Sequence, residues 1–175
     1  MKRKVEMYPY AYIYKGKKTV LIWQTNGRDT FKKVSDNRLL QSSTMLNLKR
    51  LLRKESPKVH WSENTEINFD KFWTALINLR SNRASSTRTC SVLLDGWNFI
   101  EDIGRTFNLK KEMKRLRSQL LDKAYDKIFW GCNLPSVTSE GKSYSPLWIE
   151  AEIKSMRTEL RTVWQALRDQ GYIQP

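Results

Sequence analysis

Residue types that do chemistry are scarce in this chain of 175 residues, which has one His and two Cys. A Ser-His-Asp or Cys-His constellation would have to be built on His60, which stands between Val59 and Trp61 in no nucleophile pattern. It reads as a structural or surface histidine. Cys90 and Cys132 lie too far apart for metal-ligand spacing or a disulfide framework and read as reduced, packed thiols. Neither G-x-x-x-x-G-K-[ST] nor G-x-G-x-x-G occurs, so a nucleotide has no phosphate cradle. Glu101-Asp102 is a carboxylate pair, but adjacent helical positions point about 100° apart and do not converge on one reaction centre. Surface acidity or a bond to a partner is the better reading of that pair. The sequence therefore predicts no catalytic residues, no cofactor, no metal and no enzyme.

The remaining chemistry is charge and aromatic surface. The chain has 32 Lys+Arg against 18 Asp+Glu, a net +14. Residues 1–58 hold 15 basic and 4 acidic side chains, a balance of +11, whereas residues 59–108 come to −1 and residues 109–175 to +4. Charge distributed this way steers partners of opposite sign. Tyr8, Tyr10, Tyr12 and Tyr14 alternate along one strand face, followed by Lys15, Lys17 and Lys18. That pattern admits two readings. It suits a single-strand or nonspecific nucleic-acid face that stacks bases and tracks phosphates. It suits better a core face turned to helices, with the lysines as solvated charge, since consecutive same-face aromatics are more often core or interface than a stacking platform.

The elements that must position these residues follow from periodicity. Residues 5–14 alternate as a strand, interrupted by Pro9, which belongs at a strand start or a sheet edge. Lys15-Gly16-Lys17-Lys18 makes a turn, residues 19–25 a second strand, and Asn26-Gly27 a type I′ turn into a third strand at 30–34. Ser35 and Asp36 cap a helix carrying Leu40, Leu48, Leu51 and Leu52 that Pro57 ends. Residues 58–67 are a loop or a further short strand. Phe69, Phe72, Trp73, Leu76 and Ile77 form a helical stripe capped by Asn68. The next helix runs from Cys90 to Phe107, with Gly96 and Gly104 on one face for close approach of a neighbour. Another carries Met113, Leu116, Leu120, Ala124 and Ile128, capped by Asn108. A long loop crosses 131–146, and a last helix starts with Ser145 as cap and Pro146 at its first position, ending at Gly171. The expected fold is α+β: a single domain over 1–175, with a small N-terminal antiparallel β-meander (1–34) packed on about five helices (35–175). The longest apolar run, Val20-Leu21-Ile22-Trp23, is far short of a membrane span. No apolar stretch follows the basic Met1-Lys2-Arg3-Lys4, so no signal peptide is read and the expected location is cytoplasmic.

Two stretches carry a family resemblance. One is Ser91-Val92-Leu93-Leu94-Asp95-Gly96-Trp97-Asn98-Phe99-Ile100-Glu101-Asp102-Ile103. The other is Lys127-Ile128-Phe129-Trp130-Gly131-Cys132-Asn133-Leu134-Pro135-Ser136-Val137-Thr138, continuing to Tyr144-Ser145-Pro146-Leu147-Trp148. With the N-terminal strands, they resemble the immunity proteins of bacterial contact-dependent growth inhibition systems. The resemblance implies a cytoplasmic protein that binds, one to one, the C-terminal toxin domain of a large secreted effector, often a nuclease, and does no chemistry itself. Nuclease inhibitors tend to be acidic because they meet a basic active site. A chain of +14 meets that demand through an acidic patch on its middle segment, which would bring Glu63, Glu66, Asp70, Glu101 and Asp102 to the interface, or through a toxin that is acidic elsewhere.

Overall fold

Lys15 and Gly16 both have positive φ, 51° and 70°, the combination a two-residue type I′ turn requires. This turn joins strand β1 (Glu6–Tyr14) to β2 (Lys17–Thr25) in register, Tyr14 opposite Lys17 and Tyr8 opposite Trp23. The computed structural model describes residues 5–53 and 58–173. The basic start 1–4, and Pro57 as a helix stop, lie outside the described residues. After β2 the chain turns at 26–28, where only Gly27 takes a positive φ, 99°. Asn26-Gly27 is therefore not the type I′ turn its composition suggests, since Thr25 pairs with Asp29 and leaves three residues in the loop.

β3 (Asp29–Phe31) pairs with the outer half of β2, and β6 (Gln41–Ser42) with Val20 and Leu21 on the same side. Between them, β4 (Lys33–Ser35) and β5 (Arg38–Leu39) form a small hairpin. The helix expected from Ser35 is thus a run of short strands that seats Leu39 and Leu40 in the interior. Helix α1 (Met45–Leu51) begins only at Thr44, whose hydroxyl accepts from the Asn47 N–H.

β7 (Thr65–Asn68) lies on the other side of β1 and runs parallel to it, with Tyr12 opposite Ile67. The sheet is accordingly mixed, in the order β3-β2-β1-β7, rather than a purely antiparallel meander. β1 is central here, yet it contains Pro9. The Met7 carbonyl accepts from the His60 N–H, so the backbone groups of the odd-numbered residues of β1 point toward that neighbour. The missing donor of Pro9 then faces the gap between the Met7–Val59 bridge and the first β7 pairing at Tyr10–Thr65. Pro is tolerated in a central strand because the ladder is already open there.

The sheet has helices on both faces. The face that carries the odd-numbered residues of β1 buries Met7, Ala11, Val20 and Ile22 against Leu48 and Leu52. The opposite face, with the even-numbered residues of β1, carries the main core. There Tyr12, Phe31, Phe69 and Phe99 meet edge to face or tilted, with centroids 5.1 to 6.3 Å apart. Each such side chain contributes about 1.5–3 kcal/mol by burial, and favourable ring geometry adds about 0.5–1.5 kcal/mol per pair.

Four helices build that core. α2 (Phe69–Asn78) starts where Asn68 accepts from the Lys71 N–H, and buries Phe69, Phe72 and Leu76, as its stripe predicts. α3 (Thr87–Thr106) is capped by Ser86. A Cβ on Gly96 would lie inside the ring of Phe72, so the absent side chain lets α2 press onto α3. The helix expected over 109–128 is two pieces, α4 (Lys110–Arg115) and α5 (Gln119–Gly131). The break comes at Arg117, which turns aside to meet Glu101, and Ser118 caps α5 afresh. α6 (Glu150–Asp169) starts later than Ser145 and Pro146 predict. The Ser85 N–H donates to the Pro146 carbonyl and the Asn82 N–H to the Trp148 carbonyl, holding 146–148 extended against the 82–85 connection. Gly171, at φ 73°, ends α6 as expected. The result is α+β, with six helices among the described residues, none long and apolar enough to cross a membrane.

Candidate protein-binding surface

The five acids expected at an interface are not brought together. Glu101 and Asp102 are only 3% and 8% exposed. Glu101 accepts from Trp97 Nε1 (3.1 Å), Arg105 (3.2 Å) and Arg117 (2.8 Å). Asp102 accepts from Trp23 Nε1 at 3.1 Å and is paired with Arg105. Their reading as surface acidity is corrected by this burial. Lying four and three residues before Arg105, both acids reach one guanidinium although they point in different directions. Burial pushes the Asp102 carboxyl above its ordinary value, against the opposing pull of Arg105 and Trp23.

Asp70 is occupied as well. Its carboxylate accepts the backbone N–H groups of Lys15 (2.8 Å) and Gly16 (3.0 Å), tying the first turn of α2 to the tip of the β1–β2 hairpin. Glu66 pairs with Lys18 at 2.5 Å across the neighbouring edge. Lys15 lies over the Tyr14 ring at 5.6 Å, and Lys17 is exposed beside it. Lys18 thus faces an acid of β7 through its ammonium, whereas Lys15 meets Asp70 of α2 through its backbone N–H.

The tyrosine face is turned inward. Tyr10 packs on Phe31 and Phe99, Tyr12 on Phe69 and Phe99, and Tyr14 on Trp164. Tyr8 alone stands at the open end, stacked on His60 at 4.7 Å and tilted on Trp23 at 5.7 Å. Tyr8 and Lys15 are separated by roughly 23 Å of extended strand, so they do not form one stacking groove.

Glu66 and Asp70 are exposed but engaged by Lys18 and by the hairpin tip, which leaves Glu63 as the candidate with no Lys, Arg or backbone donor among the described residues. Its side chain is 65% exposed, and among the described residues its nearest basic group is His60 Nδ1 at 3.7 Å. It forms one wall of a recess of about 290 Å³ with Tyr8, Tyr10, Trp23, Asn64 and Thr65. The recess opens beside Pro9, where the ladder between β1 and the 59–65 segment is interrupted. Desolvation raises the Tyr8 phenol, and Glu6 and Glu63 push it further; Tyr10 is raised by burial and then by Asp95 and Asp102.

Sequence reasoning missed the parts that hold the frame. Arg157 of α6 donates to the carbonyls of Leu76, Ile77 and Leu79, closing the C-terminus of α2. Lys127 donates to Glu152 and to the Leu147 carbonyl. The stretches that carry the family resemblance are largely framework too. Trp97 serves Glu101, and Asn98 accepts from the Tyr125 hydroxyl. Asn133 donates to Thr87 and to the Gly131 and Tyr144 carbonyls while accepting from the Tyr144 N–H. From that knot, 130–149 exposes Trp130, Leu134, Val137, Tyr144, Leu147 and Ile149, a concentration of apolar surface that marks contact regions in folded proteins. No spacing rule signalled it, because loop residues carry no periodicity.

Among the described residues no group of three or more His, Cys, Asp or Glu is placed to hold a metal ion. No family model, curated protein or solved structure matches the chain.

Proposed function

We propose that this chain is an immunity protein of a contact-dependent growth inhibition system. It acts in the cytoplasm by binding, one to one, the C-terminal toxin domain of a large secreted effector, a nuclease. The reading starts from the resemblance of the 91–103 and 127–148 stretches to such proteins. The observation that carries it is the recess at Glu63, where an exposed carboxylate stands beside Tyr8 and Trp23 in the chain's one acid-leaning segment. Aromatic anchors beside a free charge suit the centre of a protein interface, and a carboxylate facing outward suits a basic nuclease surface. A nucleic-acid-binding role remains the alternative for so basic a chain, but Tyr10, Tyr12 and Tyr14 are spent on the core.

Co-purification with the toxin domain encoded beside this gene, together with growth of cells producing that domain, tests the proposal. A one-to-one complex and restored growth are expected. Failure of both overturns it, and tight binding of single-stranded DNA or RNA that weakens steeply with salt would favour the alternative.

A further inference from the structure

The recess has the chemistry of a receptor for one cationic side chain. Its walls are the rings of Tyr8, Tyr10 and Trp23, and its rim is the Glu63 carboxylate. The volume, about 290 Å³, lies at the lower edge of the roughly 300–1,000 Å³ of small-molecule pockets, and fits a single side chain better than a larger ligand. The walls are held before any partner arrives. The Trp23 indole is fixed by Asp102, and Tyr8 is clamped between its hydrogen bond to Glu6 at 3.1 Å and the stacked ring of His60. Aromatic faces attract cations through their quadrupole. A planar guanidinium both stacks on such faces and donates in a fork that matches a carboxylate, which a compact ammonium does less well.

The geometry points to this recess as the seat of an arginine side chain from a basic protein partner, its guanidinium laid against the aromatic lining and hydrogen-bonded to Glu63. Charge complementarity selects that occupant. The chain carries +14 overall, yet among the described residues the carboxylates at the recess are Glu63 on its rim and Glu6, which accepts from the Tyr8 hydroxyl. Where the partner is the toxin domain, this inference rests on the function proposed above; the chemistry of the recess itself does not.

The test uses the full chain and acetyl-arginine amide as probe, at constant ionic strength, following the Trp23 indole N–H resonance. That resonance is assigned by its loss in Trp23→Phe. A saturable shift at Trp23 is expected, weakened about two- to fivefold in Glu63→Gln and absent with acetyl-norleucine amide. Glu63 is exposed, so Glu63→Gln leaves the fold intact and keeps the comparison clean. An unshifted Trp23 resonance, or an equal response to the norleucine probe, overturns the inference. A saturable arginine response in a chain that binds no toxin domain would uphold the recess and overturn only the proposed immunity role.

Discussion

The Trp23 indole donates to the Asp102 carboxylate at 3.1 Å, across 79 residues of sequence. This bond joins a wall of the surface recess to the buried network of α3, where Arg105 binds both Asp102 and Glu101. Of the acid pair that looked available to a partner, Asp102 fixes Trp23 and Glu101 serves Trp97, Arg105 and Arg117.

Substituting Glu101 by Ala leaves Trp97, Arg105 and Arg117 without their shared acceptor. Removing one partner of a buried ion pair costs about 3–5 kcal/mol. For a domain of this size that lowers the melting temperature by roughly 10 °C. Calorimetry of Glu101→Ala beside Glu63→Ala separates the two kinds of acid. The second is expected to stay within about 0.5 kcal/mol of wild type.

At the other end of β1, Asp70 holds the hairpin tip. Asp70→Ala removes the acceptor of two backbone N–H groups and is expected to cost about 1–3 kcal/mol in urea unfolding. Lys15, at φ 51°, adopts a conformation that favours Asn or Gly. Lys15→Asn is expected to raise the urea midpoint, provided the Asp70 contacts survive.

Gly96→Ala drives a methyl group into the Phe72 ring. Overpacking of this kind costs about 1–3 kcal/mol. The double change Gly96→Ala with Phe72→Leu should recover part of that loss, which a thermal melt would register.

Burial raises the Cys90 thiol to about 11 from an ordinary 9.0. Because the folded value lies above the unfolded one, the thiol's contribution to stability is whole below pH 9 and is lost as pH rises through about 11. Urea unfolding across that range should show falling stability, with a shallower slope in Cys90→Ala. At pH 8 neither buried cysteine should react with a disulfide reagent until urea is added.

Much of the fold was legible because period and capping act locally. The stripe from Phe69 to Ile77 and its Asn68 cap specified α2, and Gly171 marked the end of α6. What escaped depends on distant partners. β7 is a strand only because β1 offers it an edge, so its mixed composition carried no strong pattern. Arg117 ends α4 by reaching for Glu101, sixteen residues away. Of the candidate site, Glu63, Tyr8 and Tyr10 stood out in the sequence, but nothing there brought them together or added Trp23. Glu101 and Asp102 read as free acids in sequence, although Arg105 at the following helical turn was a visible partner. The union of Tyr8, Trp23 and Glu63 required the strand register and the gap at Pro9.

The most direct measurement is the association rate of the purified chain with the toxin domain encoded beside it, at low and high salt, for wild type and Glu63→Gln. Toxin capture through the recess predicts a one-to-one complex whose association slows with salt, and about threefold slower association for the variant at low salt. Absence of a complex, or identical rates for the two proteins at every salt concentration, would contradict it.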